Sequence, residues 1–131
     1  MVQLGWSHDN GQSFGAPIKI DTLSPQGPIG RVDVVMPEKN TAIVSWLGRN
    51  SKDQATLYLR LVKANGELGN YLQIAELNAG RATGFPQTAL FENSLILAWT
   101  ENLELENGAS IKNLRLVKLN ISEITSLPTS K

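Results

Sequence analysis

The chain has 131 residues, 41% of them hydrophobic, and its 12 basic and 12 acidic side chains give a formal net charge of zero. This length suits one compact domain with a core, and the lack of a basic excess argues against nucleic acid or an anionic membrane as partner. The absence of Cys and the single His, His8, set aside disulfide scaffolds, thiolate or His-cluster metal sites and His-dependent triads.

No apolar run approaches the length of a membrane-spanning helix. No EF-hand-like spacing of Asp, Asn and Gly is present, so neither a metal nor a cofactor is expected. A polar, strand-like segment follows Met1, so no leader peptide is read, and the compartment stays open.

In chain order, the first elements are two apolar-rich segments, Val2 to Trp6 and Pro17 to Ile20. Between them lies Ser7-His8-Asp9-Asn10-Gly11-Gln12-Ser13-Phe14, which reads as the turn of a hairpin. Asp9 is suited to accept hydrogen bonds from backbone N–H groups of its own turn, with Ser7 assisting. Gly11 permits a positive φ where the chain reverses. Phe14 is expected to tuck beneath the turn. His8 fills a variable position and reads as solvated.

Short β-rich runs follow. Val32 to Met36 is strand A, Thr41 to Leu47 strand B, Ala55 to Val62 strand C and Tyr71 to Leu77 strand D, with Asn65-Gly66 as a hairpin signal between C and D. The pattern then returns. Gln87 to Phe91 matches A, Ser94 to Thr100 matches B, Ile111 to Leu119 matches C, and Ile121 to Leu127 is a weaker D. A polar stretch, 102–110, is expected as a long connection. The string LRLVK occurs at 59–63 and at 114–118, an offset of 55, while Trp46 and Trp99 are offset by 53.

A four-stranded antiparallel unit repeated at such spacing is the signature of propeller blades, with an ordinary β-sandwich as the alternative. The expected fold is therefore all-β: a partial β-propeller with a hairpin over 1–22 and two four-stranded antiparallel blades over 23–77 and 78–127. Trp46 and Trp99 read as core residues between neighbouring blades.

The motif at Ser7 to Phe14 fits S-x-D-x-G-x-[ST]-[FW] and resembles the Asp box, or BNR repeat, of sialidases and related propellers. The phrases GRVDVV, AIVSWL, RATGFPQTA and LILAWTE resemble the C-terminal blades of bacterial exo-α-sialidases. The resemblance implies that Ser7, Asp9, Gly11 and Phe14 are structural, in a C–D turn on the face opposite the ligand. It further implies a sialoside-like glycan as ligand, and relatives that are secreted or periplasmic.

Propeller topology then sends the D–A and B–C loops to the ligand face. These are Ser24–Val32 and Gly48–Gln54 in the first complete unit, and Asn78–Gly84 and Glu101–Ser110 in the second. The candidate ligand-binding residues are Arg31, Asp33, Arg49, Arg81 and Glu101, with Asp53 and Glu104 also on these loops. Sialidases clamp the substrate carboxylate with arginines, and Arg31 and Arg81, each in a Gly-Arg pair, would be clamp members; solvated loop arginines or carbonyl caps are the alternative.

A sialidase nucleophile would be a tyrosine, but neither Tyr58, inside strand C, nor Tyr71, after a turn, is well placed. Two blades do not surround a sugar, so catalysis by this chain alone is not expected. The sequence leaves open a lectin assembled from several copies and a structural or protein-interaction module. Self-association through uncovered blade faces is expected in each case.

Overall fold

A computed structural model describes residues 1–22, 32–52, 54–77, 86–125 and 129–130. The chain is all-β; among the described residues there is one short helix, and the strands form three antiparallel sheets, none of them closed into a barrel.

The first sheet is a hairpin of β1 (Gln3–Leu4) and β2 (Ile18–Lys19). It is prolonged by a hydrogen bond from Ile20 N–H to the Val2 carbonyl at 2.8 Å. The second sheet contains β3 (Val32–Glu38), β4 (Thr41–Arg49), β5 (Ala55–Lys63), β6 (Leu68–Gly69) and β7 (Leu72–Glu76). Strands β3, β4 and β5 lie side by side, and β6 and β7 both pair with β5. Strands β3, β4, β5 and β7 match the four expected strands, and β6 is an additional short strand before the fourth. Pro37 lies where the β3–β4 register shifts. A proline is tolerated there because β3 is an edge strand.

The third sheet contains β8 (Gln87–Phe91), β9 (Ser94–Glu104) and β10 (Ser110–Asn120). Two expectations are corrected here. The long connection is shorter than expected, because β9 runs to Glu104 and β10 starts at Ser110. A tight turn joins them, with Gly108 at φ 82°.

The second correction concerns the fourth strand of this unit, expected over Ile121 to Leu127, where the chain forms α1 (Ile121–Thr125) instead. Asn120 caps this helix: its Oδ1 accepts from the Ser122 N–H at 3.0 Å and from the Ser122 hydroxyl at 2.7 Å. That satisfies an orphan donor of the first turn. Ile124 is then buried in the core, so the segment buries its apolar side chain without joining the sheet. The final strand, β11 (Thr129–Ser130), returns to pair with β6.

Alternation along the strands sends successive side chains to opposite faces, and both faces of β4 and β5 are covered. On one face Val44, Trp46, Tyr58 and Val62 pack against Val2 and Ile20 of the hairpin. On the other, Ile43, Leu47, Leu57, Leu59 and Leu61 pack against Leu95, Leu97 and Trp99 of β9. Strands β4 and β5 are therefore buried on both sides, which explains their near-continuous apolar sequence.

Trp46 thus faces the hairpin that precedes its sheet, and Trp99 faces the sheet that precedes its own. The repeat is visible in space as well as in sequence. Trp46 pairs with Tyr58, whereas Trp99 pairs with Arg115. With LRLVK aligned, the second hairpin is shifted by two residues. An even shift keeps every side chain on its own face.

Candidate functional site

The two ends of the stacked sheets are chemically distinct. At one end His8, Asn40, Lys63, Asn65 and Thr125 share a polar hollow of about 470 Å³. The Ser7–Phe14 turn, the β3–β4 turn, the β5–β6 turn and α1 meet there. The β3–β4 and β5–β6 turns of the second sheet thus lie at the same end.

Within the Ser7–Phe14 turn, Asp9 is the organising acceptor. Its Oδ1 accepts from the Ser13 N–H at 2.9 Å and from the Ser7 hydroxyl at 2.8 Å, and its Oδ2 accepts from the Ser13 hydroxyl. The Ser7 hydroxyl oxygen in turn accepts from the Gly11 N–H at 2.8 Å. Gly11 sits at φ 86°, next to Asn10 at 60°, a left-handed pair that glycine and asparagine tolerate. The Ser13 hydroxyl and N–H, then the Ser7 hydroxyl, hold the Asp9 carboxyl down at about 2, because each donor stabilises the charged form.

Phe14 departs from expectation: it is 65% exposed. The two strands of the hairpin are two residues each, too short to form a sheet face that would cover the ring. Phe14 instead packs beside Gly5 and lines a cleft described below.

At the opposite end, the β4–β5 loop is ordered by Asn50. Its Oδ1 accepts from the Lys52 and Gln54 N–H groups at 2.9 and 3.0 Å. Its Nδ2 donates to Gln54 Oε1 at 3.1 Å and Glu76 Oε1 at 3.2 Å. Gln73 Nε2 also donates to Glu76 Oε1, at 3.1 Å. Asn50, Ser51, Tyr58, Tyr71 and Gln73 line a shallow cleft of about 330 Å³ here. Sequence reasoning missed Asn50 and Gln73. An Asn-Ser start to a polar loop is a turn signal, but nothing local marks Gln73 as its neighbour.

The aromatic wall of this cleft is rigid. Trp46, Tyr58 and Tyr71 form a cluster with ring centroids 5.6–6.0 Å apart. The buried Trp46 indole donates to Asp21 Oδ2 at 3.0 Å. The Tyr71 hydroxyl donates to the Ile20 carbonyl at 3.0 Å and accepts from the Thr22 N–H at 2.9 Å. Arg60 lies over the Tyr71 ring at 4.2 Å, and donates to the Gly69 and Ile20 carbonyls at 2.7 Å each. Burial, chiefly, pushes the Tyr58 hydroxyl above its ordinary range, away from the phenolate a nucleophile would need.

The described sequence-derived candidates, Asp33, Arg49 and Glu101, are not among the residues that line this cleft. Asp33 is used between the sheets: its Oδ2 accepts from the Thr88 N–H and hydroxyl, each at 2.8 Å. Glu101 lies inside β9; its Oε1 accepts from the Trp99 indole at 3.1 Å, and its Oε2 lies 3.8 Å from Arg115. Arg49 ends β4, and its carbonyl is 3.5 Å from the Tyr58 hydroxyl. Arg31, Asp53 and Arg81 lie outside the described residues, as do the Gly-Arg pairs, and the side chain of Glu104 does too.

Among the described residues, no three His, Asp or Glu side chains converge as a metal-ion site, and no helix is long and apolar enough to cross a membrane. Comparison with known proteins finds no matching family model, no matching curated protein and no matching solved structure.

Proposed function

We propose that this chain is an Asp-box, sialidase-like β-propeller segment that binds a glycan and does not catalyse by itself. The observation that carries this reading is the cleft at Asn50, Ser51 and Gln73. It joins the held amides of Asn50 and Gln73 and the Ser51 hydroxyl to an aromatic wall, the mixture that polar, flat-faced ligands such as sugars require. It lies at the end of β4 opposite the Asp9 turn, where the family resemblance puts the ligand.

Both tyrosines are committed to packing and hydrogen bonds, which supports a binding role over turnover. Titration of the chain with a sialyl oligosaccharide, followed by amide NMR, tests the proposal. Shifts at Asn50, Ser51 and Gln73 are expected, with affinity at least tenfold lower in Gln73→Ala. Shifts confined to other loops would sink it. A fluorogenic sialoside should release no product.

A second reading, a self-associating interaction module, is favoured by the exposed apolar residues on the outer face of the third sheet. Phe91, Leu114 and Leu116 are all exposed there. An apolar face of this kind supports a symmetric dimer. Light scattering should give twice the chain mass, falling to one in Leu114→Asp/Leu116→Asp. A wild-type monomer at micromolar concentration would rule the module out.

A further inference from the structure

We propose that the cleft between the Ser7–Phe14 hairpin and β3 is a docking site for an extended, apolar polypeptide strand. The cleft measures about 680 Å³, and Leu4, Trp6, Phe14, Val34, Met36 and Ala42 supply its apolar lining. Lys39 adds a positive charge. The volume falls in the range of binding clefts, roughly 300–1,000 Å³.

The internal repeat identifies the occupant. In the third sheet, the face of β8 that looks back along the stack is met by β3, with Asp33 bonded to Thr88 and Val35 packed in the shared core. One unit earlier, the matching face is that of β3 itself. It presents Val32, Val34 and Met36 with a period of two, all exposed. The hairpin covers β4 and β5, and no other described residue packs over this stripe. Among the described residues, the position that an edge strand fills in one unit is therefore vacant in the other.

Strands β1 and β3 are each paired on one edge among the described residues, so the site's borders carry backbone groups able to extend a ladder. The Trp6 indole N–H is buried with no acceptor among the described residues, and a docked backbone carbonyl would supply one after a small turn of the ring. An apolar strand carrying a carboxylate, as β3 does, would also suit Lys39. This inference stands apart from the glycan reading, which concerns the other end of the molecule.

The probe is a capped peptide with the sequence of residues 32–38, Val-Asp-Val-Val-Met-Pro-Glu, titrated into the isotope-labelled full chain. Saturable shifts are expected at Trp6, Phe14, Val34 and Met36. Val34→Asp/Met36→Asp should weaken binding at least tenfold, while Leu114→Asp/Leu116→Asp leaves it unchanged. Amide dispersion checks that each variant is folded, and the milder Val34→Thr/Met36→Gln replaces the first pair if it is not. No saturable shift up to millimolar peptide would overturn the proposal. So would shifts centred on β9 and β10, or equal binding of a scrambled peptide.

Discussion

The same five residues, Leu-Arg-Leu-Val-Lys, occupy the third strand of both units and meet opposite fates. In β5, Leu59 and Leu61 are 0% and 2% exposed, because the third sheet lies over them. In β10, Leu114 and Leu116 are 70% and 61% exposed. The arginines diverge too. Arg60 is held by two backbone carbonyls and a tyrosine ring, whereas Arg115 makes an open ion pair with Glu101. The lesson is that a strand sequence encodes a two-faced strand, and its neighbours decide which faces are worth burying.

Substitutions at matched positions sharpen this comparison. Leu59→Ala should cost about 2–5 kcal/mol, the range for deleting a well-packed core leucine. Leu114→Ala should change stability by no more than about 0.5 kcal/mol, as exposed substitutions do. Urea unfolding of the two variants checks this, and equal losses would mean that Leu114 is covered in solution.

A smaller contrast is expected at the tryptophans. Asp21→Ala leaves the fully buried Trp46 indole without its acceptor, at a cost of about 1–3 kcal/mol. Glu101→Ala should cost less, because Glu101 is partly open to water that can replace it. A larger loss at Glu101 would reverse the ranking of the two units.

Smaller again is the effect expected at Ser45, which is buried against the third sheet with no hydrogen-bond partner for its hydroxyl among the described residues. Ser45→Ala should be neutral or stabilising by up to about 1 kcal/mol, since it removes an unsatisfied polar group. Thermal melts should show no decrease.

The smallest effect is expected at the exposed Asp9. Its carboxyl is held at about 2 in the folded turn, against an ordinary 3.8. A lowered folded value means that the contribution is present above pH 3.8 and fades as pH falls toward 2. Carboxyl-carbon NMR should place the titration near 2, and the hairpin amides should lose order over that window. A midpoint near 4 would show that the Ser7 and Ser13 hydrogen bonds do not persist in solution.

Much of the fold was legible because its signals are local. Short β-rich runs marked β3, β4, β5, β8, β9 and β10, and Asn65-Gly66 marked a turn that forms with Gly66 at φ 94°. The role of Asp9 followed from residue types within one turn. The miss at Ile121 to Thr125 has a physical cause: five residues with two isoleucines satisfy a strand pattern as readily as a helix pattern, and the capping by Asn120 tips the balance. The candidate site was less legible. Asp33 and Glu101 were chosen for charge near loop ends, but their partners Thr88 and Arg115 come from other strands. Asn50 and Gln73 meet only because β5 and β7 pair.

The sequence by itself determined an all-β chain, the Asn65-Gly66 turn, the internal repeat and the Asp9 hydrogen bonding of the Ser7–Ser13 loop. Apart from the repeat, which is read by comparing two stretches of sequence, each of these depends on residues within one strand or one turn. Tertiary structure alone decided which faces are buried, which carboxylates are consumed as struts, and where the clefts open. Those outcomes depend on contacts such as Asp33 to Thr88 and Trp46 to Asp21, which join residues distant in the chain.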